Sequence, residues 1–551
     1  MHTTKSLPFS ATNTVSAGLV VCASALVYFL VKGYRARRTF HRLRKKGMPM
    51  PPWNPVLGHL LAVPPVMRML PEDTQQPDAF EALCKANDKK DGDSIIYLDM
   101  WPFADPMMVI CSPVLSAQTC SQENDLPKPP ILHAFFSSLA GGDNLFTMNG
   151  PEWKRSRALF NSGFSAGYIL QQTYHIVDEA EAYVEILREH AQKGEMFSLD
   201  EVTCWYMMDV IGAVTLDSRL HSQRQFNPLA SALRRQIRWH VLDNEWNLLI
   251  RWNPARPFVQ WYNSYQMNRY IGNELEKRYA EWAEDETAAS SRSIIHLALA
   301  GYMAQQKDRP RPTQLDQAFK TWATVQIRLF LFAGHDSTSS TICYCFYLLQ
   351  SHPEAMSRLR AEHDLIFGGD ITKTATKMRE QPQLLNQLPY TTAVIKESLR
   401  LFPPASAMRG GRPDVYLRDD QGNQYPTAGT NIWVLHSAIQ RNPKYWVDAL
   451  DFRPERWLVG PEDPLYPVKG GWRPFEHGPR NCLGQTLAML DIKITLALTA
   501  REFEVCHAFE EWDRLHPTSK IKHVNGQRAY QTQAGGAHPA DGYPCRVSMR
   551  M

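Results

Sequence analysis

One sulfur stands in a strongly patterned run: Phe475-Glu476-His477-Gly478-Pro479-Arg480-Asn481-Cys482-Leu483-Gly484. Read as F-x-x-G-x-R-x-C-x-G, the run gives each fixed residue type a physical task. A coordinating thiol loses its proton to the metal, so Cys482 suits ferric iron as a thiolate. Gly478 and Gly484 let the backbone turn tightly and approach a flat macrocycle where a Cβ would collide. Arg480 can pair with a heme propionate and Phe475 can shield the sulfur, and both effects tune the iron. The plain alternative is a core cysteine behind a glycine-rich turn.

Other residues fall at spacings that serve the same chemistry. Glu397 and Arg400 lie one helical turn apart on one face, and Leu401-Phe402-Pro403-Pro404 ends that helix. By itself such a pair is a solvated surface salt bridge. Phe452-Arg453-Pro454-Glu455-Arg456-Trp457 offers a second guanidinium, which would complete a buried Glu397–Arg400–Arg456 cluster of structural rather than catalytic purpose. The apolar stretch 316–350 reads as one helix, roughly 50 Å long at 1.5 Å per residue. In its middle sits Ala333-Gly334-His335-Asp336-Ser337-Thr338. A small Ala-Gly pair there makes room for a ligand, and a hydroxyl bonding back to a carbonyl opens the helix locally. Asp336 and Ser337 are the candidate catalytic pair, delivering protons to dioxygen as it is reduced; a glycine-thinned packing site is the alternative. Trp153 and Arg157 share a helix face opened by Pro151.

In this order and at these spacings the motifs resemble the cytochrome P-450 family, heme-thiolate monooxygenases of the microsomal type. The likeness spans nearly the whole chain beyond its N-terminus. It implies heme b as cofactor, with Cys482 as axial ligand. It also implies that Trp153, Arg157, Arg409 and Arg480 lie near the propionates, Arg412 being the other arginine that can fill the role of Arg409. Glu397, Arg400 and Arg456 become the fold-defining triad, and Asp336 with Ser337 the acid–alcohol pair. The departures are Ser337 where threonine is usual, Trp457 for phenylalanine, and Gln440-Arg441-Asn442-Pro443 for His-Arg-Asp-Pro. Serine keeps the hydroxyl but lacks the methyl that locks its rotamer; the other two changes leave the chemistry untouched. The C-terminal run from Arg528 to Val547 is similar to tails of filamentous-fungal enzymes of secondary metabolism.

The implied reaction uses O2 and electrons from NADPH to hydroxylate, epoxidise or desaturate a lipophilic small molecule such as a polyketide or terpenoid. The chain shows no flavin or nicotinamide motif, so the implied electron donor is a separate NADPH-cytochrome P-450 reductase, docking on Lys154, Arg155, Lys469, Arg473 and Lys493. Phe146, Ala333, Ala405, Ser406, Ala407 and Met408 are the expected pocket. The competing readings are a heme-thiolate isomerase or dehydratase working without reductase, and a non-enzymatic heme sensor.

These residues need elements to hold them. The expected fold is mainly α with small β-sheets and a long central helix over the heme. Segments 94–101 and 107–110 read as a hairpin, and 170–350 as mostly helical. At 551 residues and net charge +4, with no Gly/Ser linker or internal repeat, one large catalytic domain over residues 59–551 is expected, and nucleic acid is not an expected partner. The ten cysteines contain no C-x-x-C and read as reduced. Residues 1–34 read as a membrane anchor: 15–31 are apolar, a basic cluster from Lys32 to Lys46 follows, and no acidic residue precedes Glu72. That asymmetry predicts an uncleaved single span in the endoplasmic reticulum membrane, in contact with lipid, with the catalytic domain cytosolic. Residues 35–58, basic and then rich in proline, read as a connector. Trp246, Trp252, Phe258 and Trp261 are candidates for the membrane interface or for the core.

Overall fold

The computed structural model describes residues 11–87, 95–240, 253–284, 292–306 and 313–550; Trp246, Trp252 and Ser94 lie outside them. The helices that bear on the site are, in chain order, α1 (Ala11–Lys45), α2 (Gly150–Asn161), α3 (Thr173–Lys193), α4 (Leu199–Leu216), α5 (Gln317–Ser351), α6 (Pro389–Leu401) and α7 (Gln485–Thr499). The strands are β1 (Ile95–Leu98), β2 (Met107–Ile110), β3 (Ala407–Gly410), β4 (Asn431–Val434), β5 (Gln531–Ala534) and β6 (Gly536–Pro539). The expectation of a mostly helical chain with small sheets holds.

The central helix forms where its sequence allows it. Asp316 caps α5, its carboxylate accepting the Phe319 N–H at 2.7 Å, which satisfies one of the orphan donors of the first turn. Thirty-five residues later the chain stops at His352, because Pro353 disfavours helical backbone in the residue before it. Most of α5 is buried; it packs on α4, α6 and α7, and α3 shares the same main apolar core. Gly334 marks the tightest approach: a Cβ there would lie 2.4 Å from Ile211 Cδ1 on α4. Its smallness therefore serves helix packing, and only Ala333 of the Ala-Gly pair stands open.

The hairpin forms as expected within the described residues, with Ile95 opposite Ile110 and Leu98 opposite Met107. Its sheet has the order β1-β2-β4-β3, with β2 and β4 parallel. All eight residues of β1 and β2 are buried. Alternate side chains enter two different clusters: Ile95, Tyr97, Met108 and Ile110 join Phe40 and Leu43, while Ile96, Leu98, Met107 and Val109 join Leu83 and Trp433.

Phe40 and Leu43 belong to α1, which runs unbroken across residues 34 and 35. The basic stretch is therefore helix that docks on the domain. Arg37 pairs with the buried Asp99 and donates to the Val56 carbonyl at 2.7 Å. The proline-rich segment is likewise held down: Pro49 O accepts the Tyr97 N–H at 2.9 Å and the Trp53 indole donates to Asp99 at 3.0 Å. From Leu19 to Val31 the large apolar side chains of α1 are exposed. By length and composition this is one helix apolar enough to cross a membrane. None of the ten cysteines, all of them among the described residues, forms a disulfide.

Candidate active site

Cys482 stands in a loop closed by its own backbone. Its N–H donates to the Phe475 carbonyl at 2.8 Å, and the half-buried Phe475 ring packs beside Trp472 with centroids 5.8 Å apart. Gly478 takes φ +74°, and a Cβ on it would come within 2.2 Å of the Cys120 carbonyl oxygen; only glycine satisfies both conditions. Gly484 differs from expectation. Its φ of −80° is ordinary, and an added Cβ would meet nothing closer than the Cys482 sulfur at 3.9 Å. Its absent side chain clears space beside the sulfur rather than permitting a turn. The Cys482 side chain is exposed, yet it lies deep in the molecule: burial pushes its thiol pKa up, against the pull of the Gly484 N–H, Arg157 and the Gln485 N–H.

Four cations converge on this loop. Arg157, on α2, donates to Asn481 O at 2.8 Å and Asn481 Oδ1 at 2.7 Å, so it braces the residue before the cysteine. Arg480 donates through Nη2 to Met148 O and Asn149 Oδ1, both at 3.0 Å, and lies 4.1 Å over the Trp153 ring. Its Nη1 is buried without a partner. Arg409 is buried and reaches only its neighbour's carbonyl, Met408 O, at 2.9 Å. Lys128, which the sequence reading missed, is buried with its ammonium 4.0 Å from the Phe146 ring centroid. Burial, then the charges of Arg409 and Arg480, push its pKa well down. Glu476, the carboxylate that acts on Lys128 and Arg409, is already taken by Arg473 and by His436 at 3.1 Å. Cations this desolvated and this poorly matched call for anions, and the two propionates of heme b fit that need. An isolated lysine between prolines, Pro127-Lys128-Pro129, was the available signal. Arg412 pairs with Asp414 at the surface, which leaves the role to Arg409.

The Glu397 cluster is complete and wholly buried. Glu397 accepts from Arg400 Nη2 at 2.8 Å and Nε at 3.0 Å, Arg456 Nε at 2.9 Å, and the Arg453 N–H and Trp457 Nε1 at 3.0 Å each. The two departures read as chemically silent thus have structural tasks. Trp457 supplies a donor that phenylalanine lacks. Gln440 donates to the carbonyls of Leu399 and Arg400 at 3.0 Å and accepts the Arg473 N–H at 2.7 Å, tying the end of α6 to the cysteine loop.

Along α5, Ala333 is exposed and Gly334 and Ser337 are half-buried between buried neighbours, so one face of the helix opens inward. The Ser337 hydroxyl bonds back to Ala333 O at 3.1 Å, as expected. Asp336 points elsewhere. Its carboxylate accepts the Gly536 N–H at 2.5 Å and lies 3.1 Å from His538 Nε2. The hydrogen bonds of the acid and the alcohol therefore run to different partners, about 100° apart round the helix.

Among the docking candidates Lys154, Arg155 and Lys469 are exposed. Arg473 is not: it is 1% exposed, because its guanidinium is held by Glu476, and it belongs to the interior. Lys493 is half-buried, donating to Leu385 O at 3.1 Å. Of the expected pocket residues, Ala407 is buried in the cluster around Phe40, and Ser406 accepts the Trp433 indole N–H at 2.5 Å. Phe258 and Trp261 are exposed, at 74% and 68%, and so are not core.

Residues 48–531 match the family described as Cytochrome P450. The cytochrome P450 monooxygenase polC of Polytolypa hystricis is 42% identical over 96% of this chain and 94% of its own length. The cytochrome P450 monooxygenase acrF of Aspergillus aculeatus is 30% identical over 82% and 93%. The crystal structure of the heme domain of cytochrome P450DA superposes with a TM-score of 0.69 over 92% of this chain and 98% of that one; at 19% identity this is likeness of fold.

Proposed function

Because the chain belongs to the cytochrome P450 family and is a heme-thiolate monooxygenase holding heme b, we propose that it is a membrane-anchored enzyme oxidising a lipophilic small molecule with electrons from a separate NADPH-cytochrome P-450 reductase. The observation that carries the site assignment is an exposed cysteine sulfur in a loop on which four cations converge, with Lys128, Arg409 and Arg480 all pushed down by burial. Cys482 would hold the heme iron through its sulfur. Arg480, Arg409 and Lys128 would take the propionates, with Arg157 and Trp153 positioning the cysteine loop and Arg480. When bound, the thiolate-ligated heme supplies reductive O2 activation and insertion of one oxygen atom.

The chain's own residues do the rest. The Gly484 and Gln485 N–H groups and Arg157 favour negative charge at the Cys482 sulfur. Phe475, whose carbonyl accepts the Cys482 N–H, packs its ring on Trp472 within the same loop. Ala333 leaves space on the open face of α5. Ser337, one turn further on, holds a hydroxyl whose proton can leave Ala333 O for a substrate-side acceptor. Asp336, next in sequence, is the carboxylate that exchanges protons behind it.

Exposed apolar residues from Leu19 to Val31, with basic residues after them, support a single-pass anchor in the endoplasmic reticulum, with the domain on the cytosolic side. The exposed Phe258, Trp261, Tyr262 and Tyr265 support contact with lipid, from which a lipophilic substrate would enter. Relatives from Polytolypa and Aspergillus support a place in filamentous-fungal secondary metabolism. Lys154, Arg155 and Lys469 support reductase docking; charge reversal there should slow reduction while leaving heme content unchanged.

The deciding experiment is the CO difference spectrum of the dithionite-reduced, membrane-expressed protein beside Cys482→Ala. A strongly red-shifted Soret band, lost in the variant, is expected. A band of the histidine-ligated type in folded wild-type protein, or one indifferent to the substitution, overturns the assignment.

A further inference from the structure

The family assignment leaves His538 unused, although both of its ring nitrogens lie on carboxylates, one of them on α5. It is 4% exposed and lies on β6, the second strand of the C-terminal hairpin. Its Nδ1 is 2.8 Å from Asp200 Oδ1, at the start of α4, and its Nε2 is 3.1 Å from Asp336 Oδ1. Two carboxylates on opposite edges of one imidazole require both ring nitrogens to carry protons if both are to be satisfied. The same strand contributes the Gly536 N–H to the second Asp336 oxygen. The hairpin thus grips both carboxylate oxygens. The other titratable groups near the ring are His335, Cys204 and Arg234, and none is an anion that would replace Asp336 as its partner.

We propose that His538 is the positioning residue of the Asp336–Ser337 pair: an imidazolium clamped between Asp200 and Asp336 that keeps Asp336 an anion and directs it off the open face of α5. A fully buried carboxyl without a cation would be neutral. The pKa directions agree, that of His538 pushed well up by its two carboxylates against the cost of burial, and that of Asp336 drawn down chiefly by His538 against burial. Asp336 consequently enters each turnover as a carboxylate that must acquire a proton, not as a stored acid. When it does so from His538, the Nε2–H bond breaks and an Oδ1–H bond forms, leaving a neutral ring that still donates through Nδ1 to Asp200.

The functional part rests on reading Asp336 and Ser337 as the proton-handling pair, and the test separates the two claims. Infrared spectra of the heme-loaded, full-length protein are recorded between pH 5 and 8 in H2O and D2O. Wild type should show no protonated-carboxyl band that disappears in Asp336→Asn. His538→Gln should acquire one, with a midpoint raised by about 3 units relative to an ordinary carboxyl, and the His538→Gln/Asp336→Asn double variant should lose it. His538→Lys, which restores a cation, should abolish the band again, a rescue that a purely structural role does not predict. A heme-loaded His538→Gln protein without the band, or a wild-type protein that already has it, overturns the proposal. Should His538→Gln fail to take up heme, Asp200→Asn loosens only the outer clamp and must raise the Asp336 midpoint; an unmoved midpoint overturns it equally. Independently, unchanged peroxide release per NADPH in Ser337→Ala and Asp336→Asn would discard the proton-handling pair while leaving the infrared result on His538 standing.

Discussion

Glu397 accepts five hydrogen bonds from groups as far as 60 residues away, so each donor's loss has a calculable sign. Trp457→Phe removes one N–H from a buried anion and should cost about 1.5–3 kcal/mol in chemical denaturation. Glu397→Gln leaves two buried guanidinium groups under-compensated and should cost about 3–5 kcal/mol, read as loss of heme-loaded protein on expression. Lys128 works the other way. Its charge is desolvated with no carboxylate paired to it among the described residues, so Lys128→Met should stabilise the heme-free protein while speeding heme transfer to an acceptor such as apomyoglobin. The contacts of Glu397 with Arg400 and Arg456 were legible because the first pair is local in spacing and the order of the three along the chain is characteristic. Trp457, Gln440 and Lys128 were not, because each acquires its task from partners dozens of residues away. Arg473 was misjudged for a different reason: its partner Glu476 is only three residues on, but a lone basic residue in a loop reads as surface until the loop turns Glu476 back onto it.

The elements announced themselves more readily. Asp316 and Pro353 bracket α5, and the structure begins and ends that helix within a residue of the expected bounds. What periodicity does not convey is which small residue faces a cavity and which a neighbour. Ala333 opens inward, whereas Gly334 meets Ile211. Gly334→Val should therefore separate α4 from α5 and cost about 1–3 kcal/mol by overpacking, visible as a lower melting temperature with the Soret position unchanged. Ala333→Val adds comparable bulk on the open face and should instead alter substrate-induced spectral shifts with little change in melting temperature.

For the whole molecule, acid sensitivity follows from buried neutral histidines. Burial holds His363 down to about 3, and His59 and His240 down to about 4. Below the unfolded value of about 6.5 the unfolded chain binds protons that the folded chain refuses, so stability falls as pH falls from there toward the folded values, by about 1.4 kcal/mol per pH unit for each group. Melting temperature should be flat with respect to these groups above pH 7 and drop toward pH 5, and His363→Gln should flatten that drop. The anchor boundary is equally testable. Deleting residues 1–31 spares Arg37, Phe40 and Leu43, whereas deleting 1–45 removes them, and Phe40 alone is worth about 3–5 kcal/mol at a fully buried site. The shorter deletion should give stable protein and the longer one should lower the melting temperature markedly.

That same helix has a mechanical consequence. Between Ala11 and Lys45 it contains no proline and no break, and its C-terminal third is bolted to the sheet through Phe40, Leu43 and the Arg37–Asp99 pair. With the apolar part in a bilayer, the chain has no swivel between membrane and catalytic domain. A rigid mast transmits its tilt, and a span of about 20 residues tilts according to the thickness of the hydrocarbon it crosses. Membrane thickness would then set how steeply the domain leans, and with it how deeply Phe258 and Trp261 are pressed toward the lipid.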